Sequence, residues 1–351
     1  MYFRQRVNVH EKYMGICLEL ASEGLREAMP NPSVGAVIVY DDKIIGKGYT
    51  RPFGNEHAEV QAVRSVQDKS FFKESTLYVS LEPCAHHGKT PPCTDLIIES
   101  GIRHVIVGCE DPNPIVNGKG IQKLRDCGIR VEVGILKEEC QQLNKRFFTF
   151  HQNKRPYVIL KWAQTKDGFI DRERKNNETG INWITDPRTK GITHQWRAEE
   201  MAVLVGFKTV ENDNPKLTVR ALEGKHPIRL VIDKMGALSD HFEVFNGEAP
   251  VIVFTKNRTA KYRNAKVIEI DFNHAVNQIL AALFKEGILS VIIEGGASTL
   301  SLFLKEGAWD EARVLTGKTT FGSGLKAPEL KIKPNLQTDQ FGDNISYYFN
   351  D

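Results

Sequence analysis

The segment Leu81–Cys93, LEPCAHHGKTPPC, constrains this chain most, because it joins two cysteines to a histidine and a glutamate that lie upstream. A catalytic zinc site takes three protein ligands and keeps a fourth position open for water. His57, Cys84 and Cys93 offer such a set, one imidazole and two thiolates. Zinc lowers the pKa of its bound water to about 7, so hydroxide is available at neutral pH. The pattern predicts one Zn²⁺ per chain in a hydrolytic site, with Glu59 carrying a proton from that water to a leaving amine.

The local context supports a metal centre and leaves its type open. Cys93 opens a predicted helix, whose positive end favours a thiolate over a thiol. His57 also begins a predicted helix, and residues two apart on a helix point about 200° apart. Glu59 can therefore share the site only if that helix meets the metal end-on. A purely structural zinc site would add a fourth ligand at close spacing, and His86 or His87 is available for it.

Strand-like and helix-like segments alternate along the chain, which predicts α/β layers around largely parallel sheets. In the first half we expect an amphipathic helix around Glu11–Met29, then strands over Val34–Tyr40 and Lys43–Tyr49. The polar, proline-terminated segment His151–Pro156 is typical of a linker. The sequence therefore predicts two α/β domains, covering residues 1–150 and 151–351.

Composition excludes several classes of protein. A net charge of +3 is too small to indicate a nucleic-acid partner. No apolar run reaches the roughly 20 residues that span a bilayer, and the N-terminus lacks the apolar region of a secretory signal. Six thinly spread cysteines suit a reducing compartment better than a disulfide framework. We therefore expect a cytoplasmic protein with no membrane partner.

The second half carries two further signals. Ile292–Thr299, IIEGGAST, predicts a strand, a glycine turn and a helix, and the N-terminus of such a helix can receive a phosphate. Another helix is expected from Pro187, with Thr185 or Asp186 as its N-cap. The strand predicted over Met201–Gly206 should lead into a loop bearing Thr209, Asp213 and Arg220.

Several motifs of the first half carry a specific resemblance. PNPSVGAVIV, HAEVQAV, LEPCAHHGKTPPC, EDPNPIVNGKG and LNKRFF resemble the deaminase half of the bifunctional pyrimidine deaminase–reductases of riboflavin biosynthesis. Zinc nucleobase deaminases usually separate their cysteines by two residues; here eight residues, AHHGKTPP, separate Cys84 from Cys93. That long spacer distinguishes this family from tRNA-adenosine and free-nucleoside deaminases.

The resemblance implies a fold and a reaction for the first half. The fold is a cytidine-deaminase-like three-layer domain. The reaction is hydrolytic deamination of 2,5-diamino-6-(5-phosphoribosylamino)pyrimidin-4-one to 5-amino-6-(5-phosphoribosylamino)uracil. Asn31 would contact the pyrimidine, and Lys89, Asp111 and Asn113 would belong to the substrate pocket. A lysine also suits a phosphorylated substrate on physical grounds, as a point charge for phosphate.

ILKWAQTKDGFI, NWITDPRT, LVGFKTVENDNPKLTVR and IIEGGAST resemble the reductase half of the same family. This resemblance implies a dihydrofolate-reductase-like α/β domain that uses NADPH to reduce the ribosyl side chain to ribityl. The cofactor would be lined by Ala163, Trp183, Thr209, Gly296, Ala297, Ser298, Thr299, Leu300, Ser301 and Leu302. The substrate would be bound by Lys161, Arg197, Asp213, Leu217, Arg220 and Glu294. Arg197 and Arg220 are expected to clamp the substrate phosphate in bidentate fashion.

The second half also departs from the family pattern. Ile181 replaces a serine that usually binds substrate, Asn214 replaces a second aspartate, and the segment 168–183 is longer and more charged than expected. A deaminase with a degenerate reductase domain thus stays an alternative, as does a non-catalytic protein with a structural zinc. A nucleic-acid base deaminase is a third, although near-neutral charge disfavours it. We expect a small phosphorylated pyrimidine as partner, no nucleic acid, and a homo-oligomer; the residues do not rank NADPH against NADH.

Overall fold

A computed structural model describes residues 8–52, 54–87, 91–174 and 178–350, and the chain divides into two compact units between Lys154 and Arg155. The segment predicted as a linker is partly helical, because helix α6 (Lys145–Asn153) continues through its first three residues. The linker prediction was wrong there, since polar residues also suit the last turn of an exposed helix. Among the described residues, no helix is both long and apolar enough to cross a membrane.

The first unit is built on one mixed sheet. Its helices are α1 (Val9–Ala28), α2 (Ala58–Ser65), α3 (Cys93–Ser100), α4 (Lys119–Asp126), α5 (Lys137–Leu143) and α6. Its strands are β1 (Gly35–Tyr40), β2 (Lys43–Tyr49), β3 (Thr76–Leu81), β4 (His104–Cys109) and β5 (Arg130–Val133). The strand order is β2-β1-β3-β4-β5. Strands β3, β4 and β5 pair in parallel, whereas β1 pairs antiparallel with both β2 and β3, so the expected largely parallel sheet is wrong at β1, which runs opposite to the other strands. Strands β1 and β2 form a hairpin, turned by Asp41 and Asp42 in the left-handed region.

Helices cover both faces of this sheet. Residues of α2, α3 and α4 pack with one face in a single apolar cluster that includes Ala62, Ile97 and Leu124. On the other face, α1 lies so close to β1 that a side chain at Gly35 would overlap the carbonyl of Cys17. The unit is therefore a three-layer α/β/α sandwich, with the carboxyl ends of β3 and β4 at one edge.

The second unit is built on a larger sheet. Its helices are α7 (Lys190–Glu199), α8 (Phe207–Asp213), α9 (Ala275–Lys285) and α10 (Ala297–Lys305). Its strands are β6 (Tyr157–Gln164), β7 (Phe169–Asp171), β8 (Ala202–Gly206), β9 (Ile228–Ile232), β10 (Val251–Thr255), β11 (Ala265–Glu269), β12 (Ser290–Gly295), β13 (Glu311–Thr316), β14 (Leu325–Lys326), β15 (Leu336–Gln340) and β16 (Asp343–Phe349). The main sheet has the order β11-β10-β9-β8-β12-β6-β13-β16-β15, while β7 and β14 pair separately.

Neighbouring strands of the main sheet run parallel from β11, β10, β9 and β8 through β12 and β6 to β13. Beyond them, β16 pairs antiparallel with β13, and β15 pairs antiparallel with β16. Apolar clusters cover both faces, as a parallel sheet requires. Ile279 of α9 and Phe303 of α10 lie in one cluster, and Trp196 of α7 and Val210 of α8 lie in the other. Ligands of such sheets bind beyond the carboxyl ends of the strands, which here are the ends of β6, β8 and β12.

Candidate metal centre and second site

Three side chains predicted to bind a metal converge in the first unit. One ligand atom from each of His57, Cys84 and Cys93 lies within 4.8 Å of the other two. His57 is the N-cap of α2, Cys84 follows β3, and Cys93 is the first residue of α3. The prediction left open a fourth ligand from His86 or His87, and neither belongs to this group.

The spacing of these atoms fits a tetrahedral zinc. Ligands held about 2.0–2.3 Å from such an ion are roughly 3.5 Å apart. The Nδ1 atom of His57 lies 3.3 Å from Cys93 Sγ and 3.7 Å from Cys84 Sγ. One nitrogen and two sulfurs leave one tetrahedral position for water or substrate. The donor set therefore fits zinc and matches a catalytic site better than a structural one.

Hydrogen bonds connect the three candidate ligands and shift their pKa values. The hydrogen bond from Cys93 lowers the pKa of Cys84 to about 4, and the bond with Cys84 raises the pKa of His57 to about 9. Glu59 lies in the first turn of α2 and is only 4% exposed. Burial raises the pKa of Glu59, and the nearby His57 opposes this. Because His57 is the N-cap of α2, this helix points its N-terminal end at the site. The sequence analysis expected this end-on approach, since it is what allows His57 and Glu59 to belong to one site.

A cavity of about 350 Å³ opens onto the metal centre. His57, Glu59 and Cys84 lie on its wall together with three residues predicted from the resemblance to bind substrate, namely Asn31, Asp111 and Asn113. Asp111 is buried, and burial raises its pKa to about 7. Lys89, the fourth predicted pocket residue, lies outside the described residues.

The structure adds two residues, Glu82 and Phe147, that sequence reasoning did not single out. They line the cavity together with His86, which the sequence offered only as a possible fourth zinc ligand. All three stand inside motifs that carried the resemblance, LEPCAHHGKTPPC and LNKRFF. The position of Glu82, directly after a buried strand and next to a candidate ligand, was the available signal.

In the second unit, Arg197, Glu294 and Lys161 form a buried charge cluster. Arg197 donates from Nε and a terminal nitrogen to the two carboxylate oxygens of Glu294, both at 2.6 Å. Lys161 Nζ lies 4.0 Å from the same carboxylate. Burial raises the pKa of Glu294, but Arg197 and Lys161 outweigh it and hold the pKa at about 2. Glu294 lies near the end of β12 and Lys161 on β6, so the cluster sits toward the carboxyl edge of the sheet.

The expected pair of phosphate clamps stays a prediction, and the two arginines lie in different surroundings. Arg197 gives two donors to Glu294, and its other terminal nitrogen lies 3.5 Å from the Thr218 carbonyl. Arg220 is exposed, and it donates to Thr218 Oγ1 at 3.1 Å. Its backbone N–H donates to His194 Nδ1 at 3.2 Å. Arg220 is the one of the two predicted arginines that retains an exposed guanidinium.

Most of the residues predicted to line the cofactor site lie at the start of α10 or in that helix. Gly296 is the N-cap of this helix, and no side chain caps it. A Cβ atom at Gly296 would lie 3.3 Å from Thr209 Oγ1, so α8 and the glycine turn approach closely. Ala297, Ser298, Thr299, Leu300, Ser301 and Leu302 follow within α10, and Ala163 lies near the end of β6. Trp183 is 55% exposed, and Lys190 Nζ lies 3.4 Å from its ring centroid.

Thr209 and Asp213 lie on α8, so the loop predicted for them was wrong. The segment's asparagines suggested a turn, but the chain turns only after Asp213, where Asn214 adopts φ of 41°. Asparagine tolerates this left-handed conformation better than most residues. Asp213 accepts from Arg174 at 3.1 Å. Leu217 is buried with φ of 57°, and it lies in an apolar cluster.

The long charged segment before Trp183 is ordered around one arginine over its described residues. Arg174 donates to Asp171 and Asp213 and to the carbonyls of Glu178 and Gly180. Ile181, which replaces the family serine, is 48% exposed.

Comparisons with known proteins assign both units. Residues 7–109 match the cytidine and deoxycytidylate deaminase zinc-binding region, and residues 156–340 match the RibD C-terminal domain. The riboflavin biosynthesis protein RibD of Aquifex aeolicus is 42% identical over 93% of this chain and 91% of that protein. The chain belongs to the RibD family. It is a bifunctional riboflavin biosynthesis protein, with a zinc-binding deaminase domain followed by a reductase domain.

Further relatives agree over nearly the full chain. RibD of Bacillus amyloliquefaciens is 39% identical over 95% of this chain and 93% of that protein. A Thermotoga maritima diaminohydroxyphosphoribosylaminopyrimidine deaminase/5-amino-6-(5-phosphoribosylamino)uracil reductase has a similar structure, with a TM-score of 0.88 and 40% identity over 97% of this chain and 99% of that one. The predicted fold class, a cytidine-deaminase-like domain followed by a dihydrofolate-reductase-like domain, is confirmed.

Proposed function

We propose that the first unit hydrolyses 2,5-diamino-6-(5-phosphoribosylamino)pyrimidin-4-one to the corresponding uracil and ammonia. We propose that the second unit then reduces the ribosyl side chain to ribityl with NADPH. One observation carries the first step: three candidate zinc ligands and a buried glutamate meet at a cavity of about 350 Å³. The similar protein of Thermotoga maritima is named for both of these activities, the deaminase and the reductase.

In the proposed deamination, His57, Cys84 and Cys93 hold one zinc ion. When bound, zinc acts as a Lewis acid that lowers the pKa of water to about 7. Glu59 accepts a proton in the dry interior of the site and returns it to the amino group that leaves. Its burial beside His57 suits a group that exchanges a proton without contact with bulk water.

Recognition of the substrate falls to three polar residues that line the same cavity. Asn31, Asp111 and Asn113 offer both donors and acceptors, which is what a pyrimidine ring with amino and carbonyl groups requires. We propose that they bind the ring edge and that Lys89 binds the phosphate.

For the reduction, we propose that the cofactor phosphates meet the uncapped N-terminus of α10. Gly296 leaves room for that approach, since a side chain there would enter the space beside Thr209. NADPH supplies a hydride when bound. Lys161 and Glu294 present a fixed charge pattern to the substrate, Arg197 holds Glu294 in place, and Asp213, Leu217 and Arg220 complete the substrate side.

A coupled assay tests both steps. The zinc-loaded chain, given the diaminopyrimidinone and NADPH, should release ammonia and oxidise one NADPH per ammonia. NADPH oxidation should also occur when the deaminated uracil is supplied directly. Ammonia release with no NADPH oxidation at any uracil concentration would favour the alternative of a degenerate reductase unit, for which exposed Ile181 in place of the family serine is the motivating departure.

The use of NADPH is what the family resemblance implies, and the residues do not rank it against NADH. The cytoplasmic location and the homo-oligomeric state stay predictions from the sequence.

A further inference from the structure

Glu82 follows β3 directly, lies two residues before Cys84, and is only 4% exposed. Its carboxylate accepts four backbone hydrogen bonds, two at each oxygen. A carboxylate is an acceptor without donors of its own, so it suits a nest of four N–H groups. The donors are the N–H groups of Asp111 (3.2 Å) and Gly118 (2.9 Å) to Oε2, and of Gly120 (2.8 Å) and Ile121 (3.2 Å) to Oε1.

These four donors belong to segment 111–121, which forms one wall of the cavity. Asp111 stands at the start of this wall, and the other three donors stand at its end. Asp111, Asn113 and Val116 of this wall line the cavity. The wall is internally bonded, because Asn113 N–H donates to Asp111 Oδ1 at 2.7 Å and Val116 N–H donates to the Asn113 carbonyl at 2.8 Å. Gly118, with φ of 80°, then turns the chain into α4. Segment 111–121 is therefore one bonded piece that is fastened at both ends to Glu82.

The same residue is fixed to the metal side of the cavity. The backbone N–H of Glu82 donates to the Cys109 carbonyl at 3.0 Å, and Pro83 alone separates Glu82 from Cys84. The start of α4 is in close contact, since a side chain at Gly120 would overlap the Pro83 carbonyl. The β3–β4 pairing fixes the start of the wall, and the Glu82 carboxylate connects both ends of the wall to the segment that carries Cys84.

We propose that Glu82 is a positioning residue of the deaminase site, which holds the wall 111–121 at the correct distance from the candidate metal ligands. This inference rests on the proposed function, because Asp111 and Asn113 are substrate residues only if the first unit deaminates a pyrimidine. Glu82 does not touch the reacting atoms; it acts through the two residues that it holds.

The test compares Glu82→Gln with the wild type in the zinc-loaded full chain. Glutamine keeps the size of the side chain but turns one acceptor into a donor that faces backbone N–H groups. Each oxygen accepts two N–H groups, so two hydrogen bonds are lost, and loss of even one charge-assisted bond corresponds to about a 10- to 100-fold effect. We expect the KM for the diaminopyrimidinone to rise by that factor, kcat to change by less, and zinc content to stay at the wild-type level. Hydrogen exchange should accelerate at the amides of 111–121.

A matched control separates positioning from general loss of stability. Val37→Ala removes buried volume from β1, at a residue that neither lines the cavity nor belongs to the apolar cluster that contains Ile121 of the wall. It should lower the unfolding temperature without raising KM or accelerating exchange in 111–121. If Glu82→Gln does not fold, Gly118→Ala strains the same wall at its left-handed residue and should raise KM in the same way.

A higher KM together with faster exchange confined to the wall supports the proposal. An unchanged KM in Glu82→Gln, or an equal rise in Val37→Ala, overturns it. If the wild type releases no ammonia, the proposed function fails, and the exchange result alone then decides whether Glu82 holds the wall: unchanged exchange overturns that claim, and faster exchange supports it.

Discussion

At the scale of single residues, the charged groups of both sites take their properties from burial and from a specific partner. Glu294 illustrates this, since it is enclosed with Arg197 and Lys161 rather than exposed to solvent. Burial alone would favour the protonated acid, and the two cations reverse that preference. A charge so arranged contributes to stability and also fixes the local potential that a substrate meets.

The acid stability of the second unit should depend on Glu294. An unfolded glutamate has a pKa of about 4.3, and the folded value is about 2. Because the folded pKa is depressed, the stabilisation is fully present above the unfolded value and is lost as the pH falls from there towards 2. The difference corresponds to stability on the order of 3 kcal/mol. Unfolding temperature measured between pH 5 and 2.5 should therefore fall more steeply in the wild type than in Glu294→Gln. Equal slopes would show that the pair does not govern acid unfolding.

Glu59→Gln should separate zinc binding from catalysis. Glutamine has the same shape but cannot accept and return a proton, so ammonia release should fall by about 100-fold or more. Zinc content, measured by atomic absorption, should stay at one ion per chain, because Glu59 is outside the group of three candidate ligands. Cys84→Ala is the contrasting variant and should lose the zinc itself. Normal turnover by Glu59→Gln would contradict the assigned role.

At the scale of elements, close approach between helices and strands depends on glycines. Gly35→Ala should destabilise the first unit by about 1–3 kcal/mol, because the new methyl group would push α1 away from β1. Gly15 lies in the middle of α1 with open space where a side chain would go. Gly15→Ala should instead stabilise the unit by about 1 kcal/mol through helix propensity. Scanning calorimetry of the two variants checks both signs; an unfolding temperature that does not fall in Gly35→Ala would contradict the close packing of α1 on β1.

Some helices and strands could be predicted from the sequence, and others could not. Helix α1 and strands β1, β10 and β12 were predictable from apolar periodicity or buried apolar runs. The edge strands β11 and β15 were not, because β11 is short and partly exposed and β15 is largely polar. Thr209 and Asp213 were assigned to a loop because the asparagines around Asp213 suggested a turn, yet α8 ends only there.

For the sites, residue types were predictable and pairings were not. The zinc ligands and Glu59 belong to motifs whose chemistry is written in the spacing of a few residues. The bond between Arg197 and Glu294 joins a helix to a strand 97 positions later, and no local pattern reports it. The same holds for Glu82, whose importance lies in four backbone donors that are 29 to 39 residues away.

At the scale of the whole molecule, each unit has its own sheet, its own core and its own candidate site. We therefore expect the two activities to be separable by point mutation. The Glu59→Gln chain, supplied with the deaminated uracil, should oxidise NADPH at the wild-type rate. Conversely, Glu294→Gln should release ammonia normally while its NADPH oxidation falls. Loss of both activities from either variant would show that the two sites are energetically coupled.

The two sheets differ in when their strands leave the ribosome. In the first unit, every strand has been made once β5 is complete, and the pairs form between segments that are near in sequence. In the second unit, β6 is made first but lies between β12 and β13, which are made far later, and β13 is then covered by β16. The deaminase unit can thus fold while the reductase unit is still being translated. Until β12 and β13 emerge, both edges of β6 lack their partners, so this strand is where nascent chains are most exposed to aggregation.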